Sequence, residues 1–164
     1  VQQFQIETFQ GRLYVADVGA NQVMRYEAGR YSEAPTPWFS QPVNIDDMQA
    51  MRIDGEIWML LGSGQILRYF SGEQMPFSLD SSVGLVQQPV DFVVGDDTNP
   101  YLYMADRAGE RVWVFDKDGA YVKQLAAAEG NPLAGLSGLY IENVTDSLFL
   151  LTDRALYKHP LPRN

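Results

Sequence analysis

Apolar and polar positions alternate along this chain in short runs, and the runs are cut by turns rich in Gly, Asp, Asn and Pro. That period-two pattern predicts strands half-buried on a sheet. The clearest example covers residues 101–125, YLYMADRAGERVWVFDKDGAYVKQL. It reads as strands at 101–105, 111–115 and 120–125. A polar turn containing Gly109 separates the first two, and the hairpin turn DKDG separates the last two.

The same unit recurs. The apolar pair of its first strand, Leu102–Tyr103, has equivalents at Leu13–Tyr14, Ile57–Trp58 and Leu148–Phe149, with spacings of 44, 45 and 46 residues. The pair closing its next strand, Val114–Phe115, has equivalents at Arg25–Tyr26, Arg68–Tyr69 and Lys158–His159, with spacings of 43, 46 and 44. Two separate landmarks thus give one period of about 45, the length of a four-stranded propeller blade. The expected fold is all-β, of β-propeller type, with blades at 1–40, 41–82, 83–130 and 131–164. In the first blade the fourth strand is expected to be short, because Pro35 and Pro37 fit only an edge. In the second it is expected over 73–79. In the last it is missing, because the pattern ends after a third strand at 155–160. Segment 126–134 is too interrupted by Gly and Pro to hold more than one helical turn. Four such units form a tight ring, belong to a larger propeller, or complete an eight-bladed ring as two copies.

Composition agrees with strands: nine Tyr, eight Phe and three Trp favour a pleated surface, and 164 residues can bury a sizeable core. The net charge of −9 repels phosphate, which argues against nucleic acid and anionic membrane surfaces as ligands. Cysteine is absent, and with it disulfides and thiolate chemistry. With one His and no Cys, Ser–His–Asp and Cys–His sites are nearly excluded, and so are multi-His metal centres. No apolar run is long enough for a membrane helix, and the opening VQQFQIETF lacks the basic start and apolar core of a signal peptide. The compartment is not written in the sequence.

Residues 101–106 and 111–115, YLYMAD and RVWVF, resemble an NHL repeat, as does RLYVADVGANQVMRYE at 12–27. The second unit keeps only the hydrophobic skeleton, and the fourth carries Asp153 one place out of register. The resemblance implies a β-propeller of the NHL or six-bladed TolB-like kind. Such propellers serve as protein-interaction platforms, RNA binders, lyases and lactonase-like hydrolases, so the fold does not select the function.

Asp17 and Asp106 end the second strand of their units. Each can face a ligand at the propeller mouth, or cap the backbone N–H groups of its own turn. Asp46 and Asp91 lie where one blade leads into the next. Asp17, Asp46, Asp91, Asp106 and Ser137 together are the candidate ligand-binding set. Their oxygens suit a hard cation, which makes Ca²⁺ the one cofactor the pattern admits, although no EF-hand-type loop supports it. Asp96–Asp97 reads as solvated turn chemistry on the opposite face, and His159 as packing. Arg25, Arg68 and Arg111 recur in or beside the third strand and can pair with nearby carboxylates, while Tyr14, Trp58 and Trp113 read as inter-blade core. No catalytic set emerges. The expected function is therefore a non-catalytic module that binds a protein partner or a second copy of itself. The alternative is a gluconolactonase-like hydrolase or ligand binder with a divalent cation at its mouth.

Overall fold

The computed structural model describes residues 4–161. Among them are fifteen strands in four antiparallel sheets, and the only helical element is a 3-10 turn at Val18–Ala20. The first sheet contains β1 (Phe4–Phe9), β2 (Arg12–Asp17), β3 (Gln22–Tyr26) and β4 (Thr36–Pro37). The second contains β5 (Met48–Ile53), β6 (Ile57–Leu61), β7 (Ile66–Phe70) and β8 (Glu73–Met75). β9 (Pro89–Val94), β10 (Tyr101–Asp106), β11 (Arg111–Asp116) and β12 (Tyr121–Ala126) make the third. The fourth has β13 (Leu136–Glu142), β14 (Ser147–Thr152) and β15 (Leu156–Pro160), and no outer strand beyond β15 among the described residues. Each sheet runs in simple sequence order, as hairpin-connected blades of a β-propeller do.

The departures from the predicted strands have local causes. β8 stops at Met75 rather than continuing to 79, because Pro76 has no N–H to offer the ladder. β4 is cut to two residues by its prolines. β13 already begins at Leu136, ahead of the alternating run GLYIE at 138–142, since a bulge between Leu136 and Gly138 absorbs Ser137 without shifting the apolar face.

The chain divides into two compact units. One runs to Leu61 and resumes over Ile66–Phe77, so it holds the first two blades; the other has Gly62–Gln65 and everything described from Ser78, so it holds the last two. Within the first unit, Tyr14 and Ala16 of β2 share a core with Met51 of β5, Ile57, Met59 and Leu61 of β6, and Leu67 and Tyr69 of β7. Within the second, Tyr103 and Ala105 of β10 share a core with Leu139, Leu148 and Leu150 of the last blade. The two cores use the same alternation. The Tyr/Ala face of one blade meets the branched-apolar face of the next. Burying each large side chain contributes about 1.5–3 kcal/mol, so these blade contacts supply much of what holds each unit together.

Candidate functional site

The loop-end carboxylates are best understood one turn at a time. Asp106 is 1% exposed. Its Oδ1 accepts from the backbone N–H of Gln88 (2.9 Å) and Gly109 (3.0 Å), and its Oδ2 from Gln87 N–H (3.1 Å) and Trp113 Nε1–H (3.1 Å). Burial pushes its pKa up, but the bonds from Gln88, Trp113, Gln87 and Gly109 outweigh this, and the carboxyl is held below its ordinary value. Four donors occupy both oxygens. The arrangement does what a turn cap does: it ties the connection into the third blade to the turn between β10 and β11.

Asp17 holds the equivalent place in the first blade and accepts from Ala20 N–H at 3.1 Å, capping the 3-10 turn. The turn closes on Asn21 with φ 53°, and the matching turn of the third blade closes on Glu110 with φ 50°. In the last blade Thr152 takes this position. Its Oγ1 accepts from Arg154 N–H (3.3 Å) and Ala155 N–H (3.1 Å), which is the same cap made by a hydroxyl. Asp153, the residue that looked out of register, instead pairs with Arg107, whose guanidinium also donates to Gly135 O and Leu136 O.

Asp91 lies inside β9, not in the connection before it. Its Oδ2 accepts from Leu139 N–H at 2.8 Å, forty-eight residues away, so the carboxylate stitches the first strand of the third blade to the first strand of the fourth. Asp46 is exposed, and its own N–H donates to Asn44 Oδ1 at 3.0 Å. Ser137 is exposed on the bulge of β13 and donates to Leu151 O at 3.3 Å. The structure thus brings Asp91 to the Ser137–Leu139 segment, while Asp106 and Asp17 each serve their own turns. Among the described residues no three His, Asp or Glu side chains gather in a way that could hold a metal ion.

The recurring arginines also resolve. Arg25 pairs with Glu27 and Arg68 with Glu56, while Arg111 donates to Gly109 O and Gln124 Oε1. Each guanidinium also lies over an indole: Arg25 over Trp38 at 5.4 Å, Arg68 over Trp58 at 4.8 Å, Arg111 over Trp113 at 5.9 Å. His159 is exposed, with Nδ1 2.6 Å from Pro160 O, and so is not core packing.

Sequence reasoning missed the outward face of the last blade. Tyr140 pairs across the sheet with Phe149, which pairs with Lys158, and Leu151 pairs with Leu156. These side chains share one face. Tyr140 is 62% exposed, Leu151 49% and Leu156 63%. The Tyr140 and Phe149 rings sit 6.2 Å apart, and Lys158 Nζ lies 5.6 Å over Phe149. The signal was present: β14 reads SLFLLT, apolar at both alternations, as a strand buried on two sides does.

No protein-family model matches the chain, and no curated relative matches it by sequence. By structure it is similar to virginiamycin B lyase from Staphylococcus aureus (TM-score 0.60, 14% identity), over 98% of this chain and 56% of that one. It is also similar to glutaminyl cyclase from Myxococcus xanthus (TM-score 0.64, 14% identity; 94% of this chain, 70% of that one). A third likeness is to BamB from Moraxella catarrhalis (TM-score 0.56, 14% identity; 93% and 41%). The chain spans little more than half the length of the lyase it matches. A lyase, a cyclase and BamB on one fold show a β-propeller and leave function to the surface.

Proposed function

We propose that this chain is a non-catalytic propeller module that associates with a second copy of itself, the outer face of one copy's fourth blade docking on the first blade of the other. The observation that carries this reading is the exposed cluster of Tyr140, Leu151 and Leu156. Phe149 and Leu151 of β14 fall, by the 45-residue period, where Tyr103 and Ala105 fall in β10 and Tyr14 and Ala16 in β2. In the first and third blades that face is buried against the next blade. The natural occupant is therefore a blade face of the kind that β6 and β14 present.

The chain carries one in its first blade. Leu13 and Val15 of β2 and Met24 of β3 occupy the positions that Ile57, Met59 and Leu67 occupy in the second blade. They are half-buried rather than buried, and Ile6 beside them is 62% exposed. A monomer showing two such faces has a surface that calls for a partner, and the two match each other in type.

Light scattering against concentration tests the reading. The expected mass is about 37 kDa, twice the 18.5 kDa of one chain. Leu151→Asp and Ile6→Asp, both at exposed positions that should leave the fold intact by circular dichroism, should each raise the dimer dissociation constant at least ~100-fold, because a carboxylate must be desolvated without a partner. A monomer at every concentration, or a dimer indifferent to both substitutions, overturns the proposal.

A further inference from the structure

The three tryptophans of this chain do not share one fate. Trp58 donates its indole N–H to Asp54 Oδ1 at 2.8 Å, and Trp113 donates to Asp106 Oδ2 at 3.1 Å. Trp38 Nε1 is buried and has no acceptor. Neither does the buried Nε of Arg25, whose guanidinium lies over the same indole. Buried donors without acceptors are uncommon, because each forfeits its water without replacement. Two at one place need an explanation.

Both residues line a single cavity of about 200 Å³ within the first unit. The register explains the convergence. Phe9 and Arg12 form a cross-strand pair, as do Tyr14 and Arg25, and all four lie on the face that turns toward the second blade. Trp38 continues that face, since its N–H reaches Val23 O at 2.8 Å just beyond β4. Ile53, Gly55 and Ile57 of the second blade's first hairpin close the cavity from the other side. One wall is thus cationic and rich in donors, and the other is apolar.

Charge at this cavity runs against the acidic balance of the whole chain. Arg12 Nε and Arg25 Nη2 both bind Glu27, at 3.0 Å and 2.9 Å, so one carboxylate serves two guanidinium groups. The Arg12 hydrogen bond, with the charge of Arg25 and Arg30, holds the Glu27 carboxyl below its ordinary value. Arg30 is itself paired with Glu33. Two cations against one anion leave the cavity wall one positive charge in excess, with an N–H of Arg25 and an N–H of Trp38 still to be accepted.

We infer that this cavity is a binding site for a small organic carboxylate with an apolar body. The carboxylate accepts from Arg25 Nε–H and Trp38 Nε1–H, and the body lies against Phe9, Ile53 and Ile57. A cavity of ~150 Å³ suffices for benzene, so 200 Å³ admits a ring bearing one carboxylate and excludes drug-sized ligands. The inference does not depend on self-association.

Benzoate is the probe, and benzamide, its uncharged counterpart of the same shape, is the control. In an amide-proton NMR titration the three indole N–H signals separate the sites. Benzoate should move the Trp38 signal saturably and leave those of Trp58 and Trp113 in place; benzamide should move none. By calorimetry, Arg25→Gln and Trp38→Phe should each weaken benzoate binding at least ~10-fold, since each removes a hydrogen bond to a charged group. Trp38→Phe keeps an aromatic side chain at a half-buried position and removes the unsatisfied N–H, so it should still fold, and it decides the matter if Arg25→Gln does not fold. No saturable shift up to the solubility of the salt, a shift shared by all three indoles, or equal binding of benzamide overturns the inference and leaves the cavity to ordered water.

Discussion

Replacing Asp106 tests the turn-cap assignment more sharply than any other change. Asp106→Ala removes the acceptor from four donors, of which the Trp113 indole belongs to a residue only 4% exposed. Gln87 and Gln88 are exposed, so water can reach their amides. Trp113 is buried and Gly109 half-buried, and such donors left unpaired cost ~1–3 kcal/mol each. The expected loss is therefore about 4 kcal/mol, a large part of the ~5–15 kcal/mol that stabilises a domain of this size. Asp106→Asn is informative because it keeps the shape. Oδ1 and Oδ2 each serve two donors, so an amide satisfies one pair and points its own NH₂ at the other; the loss should be ~2–3 kcal/mol. Asp17→Ala, at a cap that is less buried, should cost ~1 kcal/mol. Urea unfolding followed by tryptophan fluorescence measures all three, with and without Ca²⁺ and chelator. A loss below ~1 kcal/mol for Asp106→Ala would refute the cap reasoning. A loss seen only when Ca²⁺ is present would reassign the residue to a metal.

Two further outcomes follow from the same turns. Because the folded-state pKa of Asp106 lies below its ordinary value, the unfolded chain binds the proton first. Stability from this group is complete above the ordinary carboxylate pKa of ~3.9 and is lost as pH falls through the folded value, so acid unfolding of the parent should be steeper below about pH 4 than that of Asp106→Asn. Glu110 sits at φ 50° where the first blade has Asn21 at φ 53°, and Asn tolerates this region better than Glu. Glu110→Asn should raise stability by ~0.5–1 kcal/mol in the same urea assay; a loss would mean that the Glu110 side chain makes a contact worth more than the backbone relief.

Much of the architecture was legible because a blade is built from local information. The 45-residue period, the Gly-containing hairpins and the alternation within each strand all act over a few residues, and they located the four sheets. The cap role of Asp106 was one of two readings offered by its place before a tight turn, and the four donors decide for it. What escaped the sequence depends on partners far along the chain. Asp91 looked like a loop carboxylate, and only the approach of Leu139 shows it to be a stitch. Asp153 looked like a displaced motif residue because a Thr-for-Asp exchange at 152 is invisible to a pattern that expects a carboxylate. The cavity escaped because Trp38 follows the Pro-rich segment where strand patterning fails, and an unpaired indole N–H is a property of surroundings that no short window contains.

The bond from Leu139 to Asp91 has a practical use. Leu139 lies opposite Leu150 in the ladder, yet its amide proton is held by a side chain from another sheet. Hydrogen exchange at that amide therefore measures the parting of two blades, while exchange at neighbouring ladder amides measures the melting of one. If the two rates coincide, the third and fourth blades come apart only by unfolding. If Leu139 exchanges first, the blades separate as intact sheets, and the seam between them becomes a hinge whose opening free energy can be read from one proton.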